Sequence, residues 1–154
     1  LVGMIFNYKI DIITTEQTLD LRQKILKPFL SKKECANPED LLPTTKHFGL
    51  FYTDKLISIA TIFPESNKDL YCGFPFRLRG MASDLNYQGQ GFGGALLMSV
   101  IDYLKDKRCD LLWCNARFKA FPFYKSNGFQ FSGDMFELPD IGPHKVMYKR
   151  ILGK

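Results

Sequence analysis

The sequence has no apolar run long enough to cross a bilayer as a helix, so a membrane partner is not expected. Its opening LVGMIF has no basic stretch before it and no cleavage-like site after an apolar core, so it does not read as a secretory leader. Met4 is the expected native start, with Leu1 to Gly3 left over from cloning or disordered. Internal repeats, low-complexity tracts and linkers are missing, so one domain over residues 1–154 is expected. The four cysteines, Cys35, Cys72, Cys109 and Cys114, form no CxxC pair, and no histidine stands near them at zinc-site spacing. They read as reduced thiols of a cytoplasmic protein with no metal site. Nor is there a long basic run or a nucleic-acid motif. A net charge of +5 spread along the chain suits a small anionic ligand better than a nucleic acid.

What is present is an ordinary share of apolar residues, 45%, with 14 Phe and 7 Tyr. Phe6 to Ile13 alternates as a strand. Thr14 and Gln17 have the spacing of a capping box, and Leu21, Ile25 and Phe29 follow at helical spacing until Pro28 closes the helix. Leu30 to Thr45 reads as a loop with one helical turn. His47 to Tyr52 and Lys55 to Phe63 make a hairpin about Thr53-Asp54. A loop from Pro64 to Phe76 leads into a strand from Arg77 to Leu85. A helix then runs from Gly91 or Gly93 to about Lys107 and buries Leu97, Ile101 and Leu104. Leu111 to Cys114 is a short apolar strand. A short helix ends at Asn127-Gly128, and strands over Phe129 to Leu138 and Lys145 to Ile151 close the chain. This order predicts a mixed α/β sheet with helices on its faces.

The densest signal is the turn Gln88-Gly89-Gln90-Gly91-Phe92-Gly93-Gly94. Glycines directly before a helix leave backbone amides bare at the positive end of the helix dipole, where a phosphate is favoured. The spacing is not that of a dinucleotide GxGxxG, and no Lys or Ser follows as a P-loop requires. By itself the turn is compatible with a phosphate-bearing ligand or with none.

Gln88-x-x-Gly91-x-Gly93 has the Q/R-x-x-G-x-G/A form of the GNAT acetyltransferase superfamily. Leu78 to Asp84 resembles that family's fourth strand. Asn115-Ala116-Arg117, followed by Ala120-Phe121-Pro122-Phe123-Tyr124-Lys125-Ser126-Asn127-Gly128-Phe129, resembles its later FYxxxGF segment, and His144 to Met147 its final strand. The resemblance implies a mostly antiparallel sheet of about seven strands in which strands four and five splay. It implies acetyl-CoA as cosubstrate, with Gln88, Gly89, Gln90, Gly91, Phe92, Gly93 and Gly94 at its pyrophosphate. Met81, Ala82 and Ser83 would lie along the pantetheine arm, with one amide there at the reaction's oxyanion. Asn115 either bonds the pantetheine arm or caps the next helix. Tyr124 is the implied general acid toward the departing thiolate. For the base, His47, Glu137 and His144 are candidates by residue type, alongside a water chain. Arg77, Arg79 and Arg117, if they converge, would suit an acceptor carrying a carboxylate. The implied activity is transfer of acetyl to a primary amine of a small molecule or peptide. The alternative is an acyl-CoA-binding sensor without catalysis, and a homodimer is compatible with either.

Overall fold

A computed structural model describes residues 7–151. The expected start at Met4, and Phe6 of the expected first strand, lie outside the described residues. Seven strands hydrogen-bond in the order β1-β2-β3-β4-β5-β7-β6: β1 Tyr8–Ile13, β2 Lys46–Tyr52, β3 Lys55–Pro64, β4 Pro75–Ser83, β5 Leu111–Arg117, β6 Gln130–Leu138 and β7 Gly142–Arg150. The β1–β2, β2–β3, β5–β7 and β6–β7 pairs are antiparallel, and β4–β5 is parallel. The expected mixed, mostly antiparallel sheet is therefore present. Its parallel ladder covers Pro75 to Arg77 against Leu111 to Trp113, while β4 runs on to Ser83 and β5 to Arg117 beyond the last shared pair. No helix among the described residues is long and apolar enough to cross a membrane.

The described residues form two compact units, one of residues 7–63 and 80–100, the other of residues 64–79 and 101–151. In the first, the Thr14 hydroxyl accepts from Gln17 N while the Gln17 side chain accepts from Thr14 N, so the capping box starts α1 (Thr15–Leu21) as expected. The helix then widens into a π-helical turn over Arg22–Leu26 and stops at Lys27, ahead of Pro28. Phe29 therefore leaves the apolar stripe and is half exposed, a correction to the helical spacing. Ile13, Leu21, Ile59 and Ala82 form the core here, with Ile25, Leu26, Phe51 and Leu56 against it. The Leu30 to Thr45 stretch holds two short 3-10 turns, Lys33–Cys35 and Pro38–Leu41, rather than one. The hairpin turns at Thr53 and Asp54, both at positive φ (48° and 67°), the pairing that matches strand twist in a two-residue turn.

In the second unit Leu70, Leu111 and Trp113 form a core with Cys72, Val146 and Tyr148. β4 starts two residues earlier than expected and ends before Asp84. Leu85 falls in a 3-10 turn and is exposed. β5 is longer than expected, reaching Arg117 because β7 pairs with it along its whole length. β7 also starts earlier and takes in Pro143 and His144. Pro143 is tolerated because the β5 ladder ends at the Arg117–His144 pair, so its missing N–H is not required there. All four cysteines are free.

Candidate acetyl-CoA and acetyl-transfer residues

The glycine turn and the end of β4 belong to the first unit. Helix α2 (Phe92–Asp106) makes its first backbone bond from Ala95 N to Gly91 O, 3.0 Å, so Gly91 is its N-cap. A glycine cap has no side-chain oxygen, and the amides of Phe92, Gly93 and Gly94 have no acceptor within the helix. Gly89 and Gly91 have φ of +78° and +92°, and nothing lies within 4 Å of where a Cβ would stand on either. Backbone direction favours glycine at both positions, and the space where their side chains would stand is open. The Phe92 ring is buried among Tyr8, Tyr52 and Tyr87, so this residue offers the turn only its backbone. Gln88 Nε2 donates to Ser83 O at 2.9 Å, and Gln90 Nε2 to Asn86 O at 3.3 Å. Both glutamine side chains thus brace the turn against the segment leading from β4.

At that strand end Ala82 is buried in the core, while Met81 and Ser83 are half-buried. Ser83 Oγ shares a hydrogen bond with Ser58 Oγ of β3, 2.8 Å. Asp84 donates its N–H to Ile57 O at 2.7 Å, accepts from Asn86 N at 2.9 Å and stands 3.7 Å from Lys55 Nζ. A cleft of about 540 Å³, lined in part by Leu21, Ile25, Pro28 and Asp84, opens beside this segment.

Asn115 and Tyr124 belong to the second unit. Asn115 lies inside β5 opposite Val146 of β7 and does not end the strand. The residues capping the next two helical turns are Arg117 and Ala120, so Asn115 is no helix cap. Tyr124 sits in α3 (Phe121–Ser126), begun with Pro122 in its first turn and stopped at Gly128, φ +89°. Its ring packs at 5.2 Å against both Phe123 and Phe129 and is 7% exposed. Burial, with the adjacent Cys114 thiol adding to it, raises the phenol's pKa well above its ordinary value. Cys114 is itself pushed up to about 12 by burial. The phenol therefore holds its proton throughout the neutral range.

The candidate bases fare differently. His47 is a core residue of the first unit. Asp40 O can only accept, so the neutral ring carries its proton on Nε2, and Nδ1 accepts from the Thr61 hydroxyl (2.8 Å), whose oxygen accepts from Arg22 Nη2 (3.0 Å). Nε2–H is then shared by Asp40 O and Thr15 Oγ1, both 3.1 Å away. Both ring nitrogens are engaged, and burial lowers the pKa against the opposing pull of Asp40. His47 is thus removed as a base. Glu137 is exposed on β6. His144 is 3% exposed, donates Nδ1–H to Gly142 O at 2.8 Å and stacks on Phe136, which leaves its lone pair on Nε2. Arg77 pairs with Glu65 at 3.4 Å and lies over the Trp113 ring, 5.1 Å from its centroid. In register it faces Trp113, whereas Arg117 lies four residues further along β5, about 13 Å at a strand's rise. The buried pair Arg22–Asp40 was not read from sequence; its one signal was an arginine directly after Leu21, beside the apolar stripe.

Residues 15–129 match the model of the family described as "Acetyltransferase (GNAT) family". An uncharacterised N-acetyltransferase of Bacillus subtilis strain 168, YitI, is 36% identical over 93% of this chain and 96% of its own. The spermine/spermidine N(1)-acetyltransferase of the same strain is 31% identical over 86% and 88%. A crystal structure of a GNAT family acetyltransferase from Elizabethkingia anophelis with acetyl-CoA bound superposes with a TM-score of 0.69 at 18% identity, covering 94% of this chain and 98% of that one. With the family model spanning α1 through Phe129 and the relatives matching nearly end to end, the chain belongs to the GNAT acetyltransferase family and is an acyltransferase.

Proposed function

We propose that this protein, as a single acetyltransferase domain of the cytoplasm, moves acetyl from acetyl-CoA directly to a primary amine of a small molecule or peptide. The observation that carries the reading is the bare N-terminus of α2, where Gly91 caps the helix without a side chain and the amides of Phe92, Gly93 and Gly94 lack helical partners. Such a terminus suits a diphosphate, because the helix dipole and the unpaired N–H groups act together. Residues Gln88 to Gly94 hold the pyrophosphate through their backbone. Met81, Ala82 and Ser83 line the pantetheine arm through backbone groups, and Asn115 bonds it through its side-chain amide.

The free amine attacks the thioester carbonyl, and one backbone amide of the Met81–Ser83 stretch stabilises the oxyanion that forms. As that intermediate collapses, the carbon–sulfur bond breaks, Tyr124 gives its phenolic proton to the departing thiolate, and the proton that the new amide nitrogen loses restores the phenol. Burial raises the phenol's pKa, so it is in its protonated form at neutral pH when the thiolate departs. Water takes the proton of the incoming ammonium, with Glu137 and His144 Nε2 the side-chain alternatives that remain once His47 is engaged in the core. The cleft of about 540 Å³ has the size of a small-molecule site. A relative named for spermine and spermidine makes polyamines the first acceptors to try.

The test is thiol release from acetyl-CoA with a panel holding spermidine, amino acids, an aminoglycoside and short peptides. Saturable turnover with at least one amine is expected. CoA binding in calorimetry without turnover on any member would replace the enzyme reading with that of a sensor.

A further inference from the structure

Arg22 is 2% exposed and carries the densest set of side-chain bonds in the first unit. Its guanidinium grips Asp40 with two prongs, Nη1 to Oδ2 at 2.7 Å and Nη2 to Oδ1 at 2.9 Å. Nη1 also donates to Cys35 O at 3.1 Å, and Nη2 to Thr61 Oγ1 at 3.0 Å. Asp40 is fixed in turn. Burial alone would raise its carboxyl pKa, but the bonds from Arg22 and from Asn37 N hold it below the ordinary value. The remaining donor, Arg22 Nε, is buried with no hydrogen-bond partner. It lies 3.1 Å from where a Cβ on Gly80 would stand, and Gly80 has φ +63° in the middle of β4. An unsatisfied donor on a buried cation is rare and calls for a reason. Here the guanidinium edge takes the place of a side chain at the left-handed residue that directly precedes Met81. Arg22 itself opens the π-helical turn, a distortion that often marks functional segments.

We propose that Arg22 is a positioning residue for acetyl transfer. Clamped by Asp40, its guanidinium packs into the space at Gly80 and fixes the bend of β4 that aims the Met81, Ala82 and Ser83 amides. The proposal rests on the reading above, in which those amides serve the pantetheine arm and the oxyanion. Asp40 brings the Leu30 to Thr45 segment into the same clamp, so the loop and the strand bend are held by one ion pair. A lysine at position 22 keeps the charge but has neither the second prong nor the planar edge.

Amide spectra of Arg22→Lys and Gly80→Ala, recorded without ligand, test the clamp itself. Displaced resonances are expected for Gly80 to Ser83, with those of Gly89 to Gly94 unmoved. Folded spectra with unmoved β4 amides would overturn it. If Arg22→Lys does not fold, Gly80→Ala decides from the other side: its methyl would stand 3.1 Å from Arg22 Nε, so the amides of Cys35, Asp40 and Thr61 should be displaced, and unmoved amides there would overturn the clamp. Kinetics test the catalytic consequence, using the amine of highest turnover in the panel. Arg22→Lys should lower kcat by about a hundredfold, as small misplacements do, with the KM for acetyl-CoA changed much less. The double variant should lose less than the product of the two single losses, because both disturb the same contact between Arg22 and Gly80. Displaced amides with unchanged kcat would refute the positioning role and leave the acetyltransferase reading standing. Displaced amides in the variants, with no amine turned over by the wild type, would sink that reading and leave the clamp.

Discussion

Tyr124 and His47 show how burial sets what a single side chain can do. Burial keeps the Tyr124 phenol protonated, so its proposed service is to deliver a proton. Tyr124→Phe keeps the ring packing on Phe123 and Phe129 and removes only the hydroxyl. It should lower kcat about a hundredfold or more while CoA affinity in calorimetry stays the same. An unchanged kcat would remove Tyr124 from the chemistry. His47 has a folded pKa below its unfolded value, because burial disfavours the imidazolium. The unfolded chain therefore takes up a proton first as pH falls. The His47 contribution to stability is complete above about pH 7.5 and is lost as pH drops through the unfolded value of about 6.5 toward the folded pKa. Tm should fall between about pH 7.5 and pH 5 for this reason. In His47→Gln the Tm starts lower and that part of the slope is gone. A variant with the full wild-type slope would show that another group titrates. Neither environment was legible in sequence, since a histidine or tyrosine letter carries no burial.

Two turns, each a few residues long, illustrate how element ends are specified. Gly91 caps α2 at φ +92° with open space around it, so an added methyl meets strain but no clash. Gly91→Ala should cost about 1 kcal/mol of stability and weaken CoA binding measured by calorimetry, while α2 persists. Unaltered CoA affinity would detach the turn from the ligand. At the β2–β3 hairpin, Thr53 is a β-branched residue at φ 48°, a conformation such residues avoid. Its hydroxyl bond to Tyr52 O, 2.6 Å, offsets part of the strain. Thr53→Asn, better suited to the left-handed region, should raise stability by about 1 kcal/mol in urea denaturation. No gain would mean that the hydroxyl bond outweighs the strain. Element starts and stops were largely legible because they depend on local chemistry, as with the Thr14–Gln17 box and the Gly128 stop. The ends of β5 and β7 were not, because pairing with a strand some thirty residues away extended them.

Over the whole molecule, 21 basic residues against 16 acidic ones leave a net charge of +5, which favours encounter with a polyanionic cosubstrate. The KM for acetyl-CoA should rise several-fold from about 0.01 M to 0.15 M salt, as screening shortens the reach of that field. A KM flat in salt would confine the attraction to the turn's own amides. The amino-acid sequence by itself determined the order of elements, the glycine cap of α2 and the family, because each is carried by neighbouring residues whose spacing survives in one dimension. Tertiary structure alone decided that Asn115 lies inside β5, that Arg77 is held by Glu65, and that His47 is a core residue. It also decided the clamp that joins residues 22, 35, 40, 61 and 80. Those contacts close over long stretches of chain, and a buried ion pair forms only where folding excludes water from both partners at once.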